Sequence, residues 1–239
     1  MPHFFINSNN ISNEIITIDD KETLKHLSES LRLRCGEALK LIDENEIQYE
    51  TSVLEITKKT IKAKIKKSYS SLRKLNYDIH LIQSVLKPDA QGLLISNATQ
   101  CGVSKIIPIL SDNCAISKKT LIEKTQKWQK ISNEAAKQCE RANLACVDNI
   151  SNLNILKEYK NTNILVFAEK YANITLDGSL ADIDKACPIA VVIGPEGGFS
   201  EREFEFFKEN NYKLISLGEL IFKAPNAVVA GISNIVTRL

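Results

Sequence analysis

The chain has 239 residues, of which 44% are hydrophobic and 25% are charged, and its formal net charge is +2. This is the composition of an ordinary globular protein with one large or two small domains. No apolar run approaches the length that spans a bilayer, and the N-terminus lacks the pattern of a secretory signal, so we expect a cytoplasmic protein. The small net charge by itself predicts no polyanionic partner, so the distribution of charge has to be considered.

The first part of the chain, to about residue 70, consists of short segments in which apolar and polar residues alternate. They are Ala38–Ile42, Gln48–Ile56 and Ile61–Ile65, and polar turns separate them. Alternation with a period of two is typical of strands with one buried face. These residues are therefore predicted to form a small β-barrel.

Basic residues are concentrated between Ile56 and Tyr77, a stretch without acidic residues. It holds Lys58, Lys59, Lys62, Lys64, Lys66, Lys67, Arg73 and Lys74. Lys62, Lys64 and Lys66 alternate with apolar residues, so their ammonium groups are predicted to share one face of a strand, where they can follow nucleic-acid phosphates. The alternative is an edge strand that lysines protect against aggregation.

Ser68–Lys74 is polar and basic and is predicted to be a linker. From Ile79–Val85 onward, apolar strands alternate with longer amphipathic helices, which predicts an α/β domain. The six cysteines form no CxxC pair and have no histidine at ligand spacing, so we predict no metal site and interpret them as small buried side chains. The three histidines lie near no nucleophile turn, which gives triad chemistry little support.

Near residue 190 a buried-strand pattern ends in a glycine-rich turn. Ala190–Ile193 has the β-branching of a strand covered on both faces, and Gly194–Gly198 follows it. Ser200 and Glu203 have the spacing of a capping box, which predicts that a helix begins there. Such a strand-to-helix turn suits a polar or anionic ligand group, although a tight turn without a ligand explains the same glycines.

A second glycine turn follows the predicted strand Lys213–Leu217 and precedes a long apolar segment that runs to the C-terminus. Together the two turns resemble the SPOUT trefoil-knot methyltransferases, and within them the ribosomal RNA small subunit methyltransferase E family, which methylates N3 of a uridine in 16S ribosomal RNA. Further segments of the same resemblance occur in order along the chain. They are Met1–Ile6, His26–Gly36, Lys87, Ile95–Pro108 and Glu134–Arg141.

The resemblance implies an α/β fold in two domains. Residues 1–70 would form a PUA-like RNA-binding β-barrel, and residues 75–239 an α/β trefoil-knot (SPOUT) methyltransferase domain. It also implies S-adenosyl-L-methionine as the cofactor, and ribosomal RNA or the small ribosomal subunit as the partner. A homodimer is implied too, because the knotted domain usually pairs through its last helix, here Pro225–Arg238.

In this family the methyl donor lies bent among three loops, which correspond here to Phe167–Lys170, Gly194–Gly198 and Leu217–Lys223. The residues that the resemblance assigns to the donor are Phe167, Glu169, Ile193, Gly194, Pro195, Glu196, Gly197, Gly198, Leu217, Gly218, Ile221, Phe222 and Asn226. The RNA-binding candidates are Arg32, Arg34, Lys62, Lys64, Lys66, Lys87, Gln138 and Arg141.

Three residues are candidates for the chemistry. Loss of the N3 proton spreads negative charge over the two carbonyl oxygens of uracil, so a nearby cation would stabilise the transition state. Arg141 is the first candidate, because Glu134, Gln138 and Arg141 fall on one face of a predicted helix; a solvated helix face is the alternative. Lys223 is a second cation, and Glu196 would contact the donor, accept a proton or cap the helix that follows.

The last loop departs from the family pattern, since Arg-x-Glu-Thr-Ala is replaced by Lys223, Ala224, Pro225, Asn226 and Ala227. Lysine does not replace arginine at a bidentate site, whereas proline is tolerated in the first turn of a helix. Asn97 and Gln100 stand where the family has Lys and Glu, a paired loss of opposite charges.

These departures leave several functions open. The alternatives to an active enzyme of this family are a degenerate member that binds RNA or donor without turnover, and a related methyltransferase with a different RNA target. A doubly wound dinucleotide enzyme is disfavoured, because the sequence has no G-x-G-x-x-G turn.

Overall fold

The computed structural model describes residues 3–71, 73–114, 124–172 and 174–239. Met1 and Pro2, from the first segment of the family resemblance, lie outside these ranges. The chain folds into two compact units. Unit 1 comprises Met1–Lys74 and Lys137–Asn143, and unit 2 comprises Leu75–Ala136 and Leu144–Leu239. The inclusion of Lys137–Asn143 in unit 1 was not indicated by the sequence.

Unit 1 is built on one sheet with six strands. They are β1 (Phe4–Phe5), β2 (Ile11–Ser12), β3 (Ile15–Ile18), β4 (Ala38–Ile42), β5 (Ile47–Ile56) and β6 (Ile61–Ser70). The strand order is β1-β4-β5-β6-β3-β2; β1 pairs with β4 in parallel, and the other pairs are antiparallel. A short helix, α1 (Lys21–Lys25), continues into a π-helical turn at His26–Ser30. The buried side chains of this unit form one apolar cluster, which includes Ile16, Leu27, Leu39, Leu41, Val53 and Ile61.

β6 carries the basic segment, and its residues Ile61–Lys64 lie between β5 and β3, so the alternative of a protected edge strand is wrong for Lys62 and Lys64. Lys66 lies beyond the pairing with β3. The strand also runs through Ser70, which removes the first residues of the predicted linker. Ile65 faces Thr51 and Lys67 faces Glu50, which makes Lys66 an additional residue in a β-bulge. The predicted alternation of buried and exposed residues therefore holds at the start of β6 and is interrupted at Lys66.

Unit 2 continues the chain with strands and helices. The strands are β7 (Ile79–Ser84), β8 (Lys105–Ile109), β9 (Cys146–Val147), β10 (Ile164–Phe167), β11 (Ile174–Thr175), β12 (Ile189–Ile193) and β13 (Lys213–Ser216). The helices are α2 (Pro88–Gln100), α3 (Lys124–Gln138, of which the last two residues belong to unit 1), α4 (Leu176–Leu180), α5 (Glu201–Glu209) and α6 (Ala224–Arg238).

The seven strands of unit 2 form a parallel sheet in the order β11-β13-β10-β12-β7-β8-β9. Every residue of β12 is buried, as its continuous apolar run predicts. Alternate residues of the central strands enter two separate apolar clusters. Val191 packs in the cluster that includes Val228 of α6, and Val192 packs in the one that includes Phe207 of α5. Helices therefore cover both faces of the sheet.

The cysteines are not buried, contrary to the sequence interpretation. Cys35 and Cys146 are exposed and the other four are partly exposed. Cys35 lies in a turn next to Gly36, which has a φ of +88°, and Cys146 lies on the edge strand β9, so neither position faces a core. Within the described ranges, no three His, Cys, Asp or Glu side chains are grouped to hold a metal ion. No described helix is both long and apolar enough to cross a membrane.

Candidate active site

Three loops leave the carboxyl ends of neighbouring strands in unit 2. β10 lies between β12 and β13, and the three strands are parallel, so the loops 167–170, 194–198 and 217–223 lie at the same end of the sheet. Parallel α/β sheets bind ligands outside this end. The fold therefore brings together the three segments that the family resemblance assigns to the methyl donor.

The loop after β12 is a tight turn that requires its glycines. The Gly198 N–H donates to the carbonyl of Pro195 at 2.9 Å, and Gly198 has a φ of +72°, which L residues rarely adopt. A Cβ on Gly194 would lie 3.1 Å from the Phe199 ring. A Cβ on Gly197 would likewise lie 3.3 Å from the Cβ of Asn113, so these two glycines allow neighbouring side chains to pack closely on the loop.

Glu196, the acidic residue of this loop, caps a helix other than the one that follows it. Its Oε1 accepts a hydrogen bond of 3.0 Å from the backbone N–H of Lys87, the N-cap residue of α2. A carboxylate at a helix N-terminus is also favoured by the helix dipole. Glu196 therefore ties the loop after β12 to the loop after β7.

α5 begins with the predicted capping box. Ser200 Oγ accepts from the Glu203 N–H at 3.2 Å, and Glu203 Oε2 accepts from the Ser200 N–H at 2.8 Å. The carboxylate of Asp112 lies at this helix start. Ser200 Oγ and Arg202 both donate to its carboxylate, and these bonds hold the pKa of Asp112 below its usual range. Asp112 thus engages the side chains at this helix start, and the expectation that the strand-to-helix turn suits a polar or anionic ligand group stays a prediction.

Asp112 and Asn113 support the same loop and were not among the sequence candidates. Asn113 Nδ2 donates to the carbonyl of Gly198 at 3.0 Å, and the Asp112 N–H donates to Glu203 Oε1 at 3.0 Å. The glycine turn is thus held from the loop after β8 as well as from Lys87. The sequence signal for this contact was weak, since it consisted of polar residues directly after an apolar strand.

The loop after β13 combines a strained turn with exposed apolar side chains. Gly218 has a φ of +128°, and Ser216 Oγ donates to its carbonyl at 2.9 Å and accepts from its N–H at 3.1 Å. Beyond this turn, Leu220 and Ile221 are 75% and 76% exposed. Contiguous apolar exposure of this kind is typical of a surface that a ligand or partner covers.

Glu169, in the loop after β10, is half-buried, and its Oε2 is shielded from solvent without a hydrogen-bond partner in the described part of the chain. Burial raises the pKa of Glu169 above its usual range, and a hydrogen bond from the backbone N–H of Leu217 lowers it to a smaller extent. Because buried polar atoms are normally paired, this unpaired oxygen is unusual, and it leaves the negative charge of Glu169 without full compensation.

α6 begins at Ala224, with Lys223 as its N-cap residue and Pro225 in its first turn. Proline is tolerated at this position, as predicted, because a first-turn N–H has no partner within the helix. Asn97 Nδ2 donates to the carbonyl of Pro225 at 3.2 Å, so two of the positions that depart from the family pattern contact each other. Lys223 and Asn226 are exposed.

Arg141 does not lie on a helix. α3 ends at Gln138, and Glu140 adopts a φ of +52°, which terminates the helical backbone before Arg141. The predicted polar stripe is therefore wrong, because Glu134 and Gln138 are exposed whereas Arg141 is only 8% exposed. The guanidinium donates to Asn143 Oδ1 from Nε at 3.1 Å and from Nη2 at 2.9 Å. This burial rules out the alternative of a solvated helix face for Arg141.

The other RNA-binding candidates are on the surfaces of the two units. In unit 1, Arg32, Arg34, Lys64, Lys66 and Gln138 are exposed, and in unit 2 Lys87 is exposed. Lys62 is partly exposed and forms an ion pair with Glu55 at 2.9 Å. The turn after Arg34 lies beside β5, because Ser52 Oγ donates to the carbonyl of Gly36 at 3.3 Å, and Ser52 faces Lys64 across the sheet.

Comparison with known proteins agrees with this architecture. The sequence model of a family described as RNA methyltransferase domain matches residues 73–236. The ribosomal RNA small subunit methyltransferase E of Helicobacter pylori (strain ATCC 700392 / 26695) is 32% identical over 210 residues, which cover 87% of this chain and 88% of that protein. The chain belongs to the ribosomal RNA small subunit methyltransferase E family. The family predicted from the sequence motifs is thereby confirmed.

Two further members of this family match almost the whole chain. The ribosomal RNA small subunit methyltransferase E of Rickettsia conorii (strain ATCC VR-613 / Malish 7) is 28% identical over 242 residues, covering 97% of this chain and 93% of that protein. The crystal structure of the Neisseria gonorrhoeae enzyme, bound to S-adenosyl methionine, superposes with a TM-score of 0.86. It covers 99% of this chain and 97% of its own at 24% identity, so this family member has the same fold.

Proposed function

We propose that this protein transfers a methyl group from S-adenosylmethionine to N3 of a uridine in 16S ribosomal RNA. Family membership over nearly the whole chain carries the proposal. The three loops at one end of the parallel sheet support it, because they supply the kind of site that the reaction needs.

The residues present fit a bound S-adenosylmethionine. Gly198 and Gly218 have positive φ values that only glycine adopts without strain, and a Cβ at either position would meet no atom within 4 Å, so both glycines border open space in two of the loops. Glu169 places a half-buried carboxylate in the third loop, and its Oε2 is unpaired among the described residues, so its charge can attract a cation there. The exposed Ile221 and Phe222 provide apolar surface for an adenine ring. We assign the remaining donor-binding candidates of these loops, together with Asn226, to the same site.

When bound, S-adenosylmethionine supplies a methyl group already activated by its positive sulfur. The chain then has to position uracil N3 and stabilise the charge that appears when the N3 proton leaves. We assign this stabilisation to Lys223 and Arg141, of which Lys223 is exposed at the start of α6 and Arg141 is held by Asn143. The hydrogen bond from Lys87 to Glu196 supports a positioning role for Glu196, since this carboxylate fixes the glycine turn.

The finer architecture is part of the same proposal. Residues 1–70 form a PUA-like RNA-binding domain, and residues 75–239 form a trefoil-knot domain except for Lys137–Asn143, which belong to unit 1. The placement of β13 beside β10, with β12 on the other side of β10, supports this topology because the chain doubles back across the sheet. The RNA-binding residues are the exposed cations Arg32, Arg34, Lys64, Lys66 and Lys87, together with Lys62, Gln138 and Arg141.

We also propose a homodimer that pairs through α6. Val229 on this helix is 40% exposed, and Leu220 to Phe222 precede it, so an apolar surface is available at the start of the helix. Gly231 does not contribute to that surface, because it is buried against the Phe167 ring. Light scattering on the wild type and on Val229→Glu tests the pairing: a dimer mass in the first and a monomer mass in the second are expected, and equal masses would reject it.

The experiment that tests the function is mass-spectrometric mapping of uridine methylation. Small ribosomal subunits are incubated with the purified protein and labelled S-adenosylmethionine, beside Lys223→Ala and Arg141→Ala. One uridine should gain a methyl group at N3, and Lys223→Ala should slow transfer about tenfold or more, because a donor to the developing anion is lost. Lys223 is exposed at the helix start, so this variant should fold normally, which circular dichroism verifies.

Two results would contradict the proposal in different ways. Intact binding of S-adenosylmethionine without transfer to any uridine would indicate a member of the family that binds RNA without turnover. Transfer to a different RNA position would indicate a methyltransferase with another target.

A further inference from the structure

Glu169 has an environment that does not stabilise its charge. Its Oε2 is shielded from solvent and meets no hydrogen-bond donor in the described part of the chain. Burial is the main influence on its pKa, which is raised, and the only compensating influence is the backbone N–H of Leu217. A carboxylate in this environment destabilises the folded protein. Stability therefore does not explain the presence of Glu169.

The position of Glu169 connects it with the donor site. It follows β10, the middle strand of the three whose loops form the site, and its Leu217 partner belongs to the loop after β13. Of the other two carboxylates in these loops, Glu196 is bonded to the Lys87 N–H, whereas Glu219 is exposed to water. Glu169 is therefore the one carboxylate among these described loop residues that is shielded and keeps an unpaired oxygen.

We infer that Glu169 recognises the positive charge of the methyl donor, and thereby favours the charged sulfonium over the neutral demethylated product. This inference rests on the proposed function. A half-buried carboxylate attracts a cation more strongly than one in water, because the local dielectric constant is lower. After transfer the sulfur is neutral, so the attraction ends and the product is released more readily. Glu169 thus raises the affinity for S-adenosylmethionine relative to the affinity for S-adenosylhomocysteine.

Isothermal titration calorimetry on the full-length protein tests this with three ligands. S-adenosylmethionine carries a sulfonium, sinefungin carries an ammonium in the same region, and S-adenosylhomocysteine has a neutral sulfur there. Glu169→Gln should weaken binding of both cationic ligands about tenfold, since one charge pair is lost. It should change binding of the neutral ligand less than about twofold, because the amide keeps the shape and an acceptor oxygen.

Glu205→Gln is the matched control, because it removes one negative charge at an exposed position on α5, outside the three loops. It should leave all three affinities within about twofold of the wild type, as screened surface charges do. If both variants lose affinity for the two cationic ligands but not for the neutral one, the total charge of the protein is responsible. That result would overturn the assignment to Glu169.

Thermal unfolding without ligand provides a second readout. Glu169→Gln should raise the melting temperature at neutral pH, because the amide avoids burying a charge, while the stabilisation by S-adenosylmethionine should shrink. Equal weakening of all three ligands would place Glu169 on a part common to them and overturn the inference. Unchanged affinities would overturn it as well. Failure of the wild type to bind any of the three would instead contradict the proposed function itself.

Discussion

At the scale of single residues, hydrogen bonds distinguish the side chains that hold the loops in place from those that remain exposed. Glu196 accepts the Lys87 N–H, and Asn113 donates to the Gly198 carbonyl, so both fix the glycine turn after β12. Arg141 is likewise fixed, by Asn143. Lys223 is instead exposed at the start of α6. A substitution of Glu196 or Arg141 would therefore remove hydrogen bonds that fix the local structure, whereas a substitution of Lys223 would remove an exposed charge.

Two substitutions test the role of Glu196, and they differ in whether the side chain can still accept the Lys87 N–H. Glu196→Gln keeps an oxygen that accepts the Lys87 N–H but cannot take up a proton, whereas Glu196→Ala loses both functions. If Glu196 positions the loop, the Gln variant should retain kcat within about threefold, and the Ala variant should lose about tenfold, the effect of roughly one lost hydrogen bond to a charged group. Single-turnover methylation of small subunits measures both. Equal and large losses in the two variants would show that Glu196 accepts the proton.

Arg141 shows how far the sequence could predict the site. The spacing of Glu134, Gln138 and Arg141 was correct for one helix face, but Glu140 ends that helix through a positive φ that non-glycine residues seldom adopt. No propensity rule assigns such a conformation to a glutamate in advance. The glycine turns were predicted correctly because glycine itself marks positions of unusual φ, as at Gly198 and Gly218.

At the scale of secondary-structure elements, apolar periodicity was the most reliable guide. The strand at Ala38–Ile42 has the predicted bounds, and the helix predicted at Pro225–Arg238 begins one residue earlier. The length of β6 and the bulge at Lys66 were missed, because they depend on pairing with β5 and on the register of that pair. The position of β6 within the sheet also depends on pairing with other strands, and the sequence of one strand alone does not specify it.

Two helical glycines should respond oppositely to the same substitution. A Cβ on Gly231 of α6 would lie 2.0 Å from the Phe167 ring, whereas one on Gly92 of α2 would lie 3.5 Å from the end of Ile131. Gly231→Ala should lower the free energy of unfolding by about 3 kcal/mol through overpacking. Gly92→Ala should raise it by about 0.5 kcal/mol, because alanine restricts the unfolded chain. Urea unfolding measures both, and a fully stable Gly231→Ala would contradict the contact between α6 and Phe167.

At the scale of the whole molecule, a net charge of +2 conceals an uneven distribution. The exposed Lys64 and Lys66 lie on β6, and Arg34 lies in the turn beside β5. Their accessibility agrees with phosphate binding by unit 1, and the position of Lys64 between two paired strands removes edge protection as an explanation for this lysine.

The salt dependence of RNA binding should report these contacts. Lys64→Ala should weaken binding to a 16S ribosomal RNA transcript and reduce the slope of log K against log salt concentration by about 0.7 to 1, the effect of one lost phosphate contact. Lys208→Ala, on α5 of unit 2, removes the same charge at an exposed residue that is not among the RNA-binding candidates, and it should leave the slope unchanged. Filter binding at several salt concentrations measures the slopes. Identical slopes for wild type and Lys64→Ala would exclude this lysine from the RNA contact.

The discontinuity of unit 1 has a consequence for protein synthesis. Its second segment is held to the first by the ion pair of Arg73 with Glu140 and by the bond from the Ala142 N–H to the Arg73 carbonyl. A ribosome that has made residues 1–74 has therefore produced an incomplete unit, which must wait for 62 further residues, 75–136, before its missing segment emerges. The first segment of unit 2 is translated during that interval, so folding of the N-terminal unit cannot simply precede folding of the next.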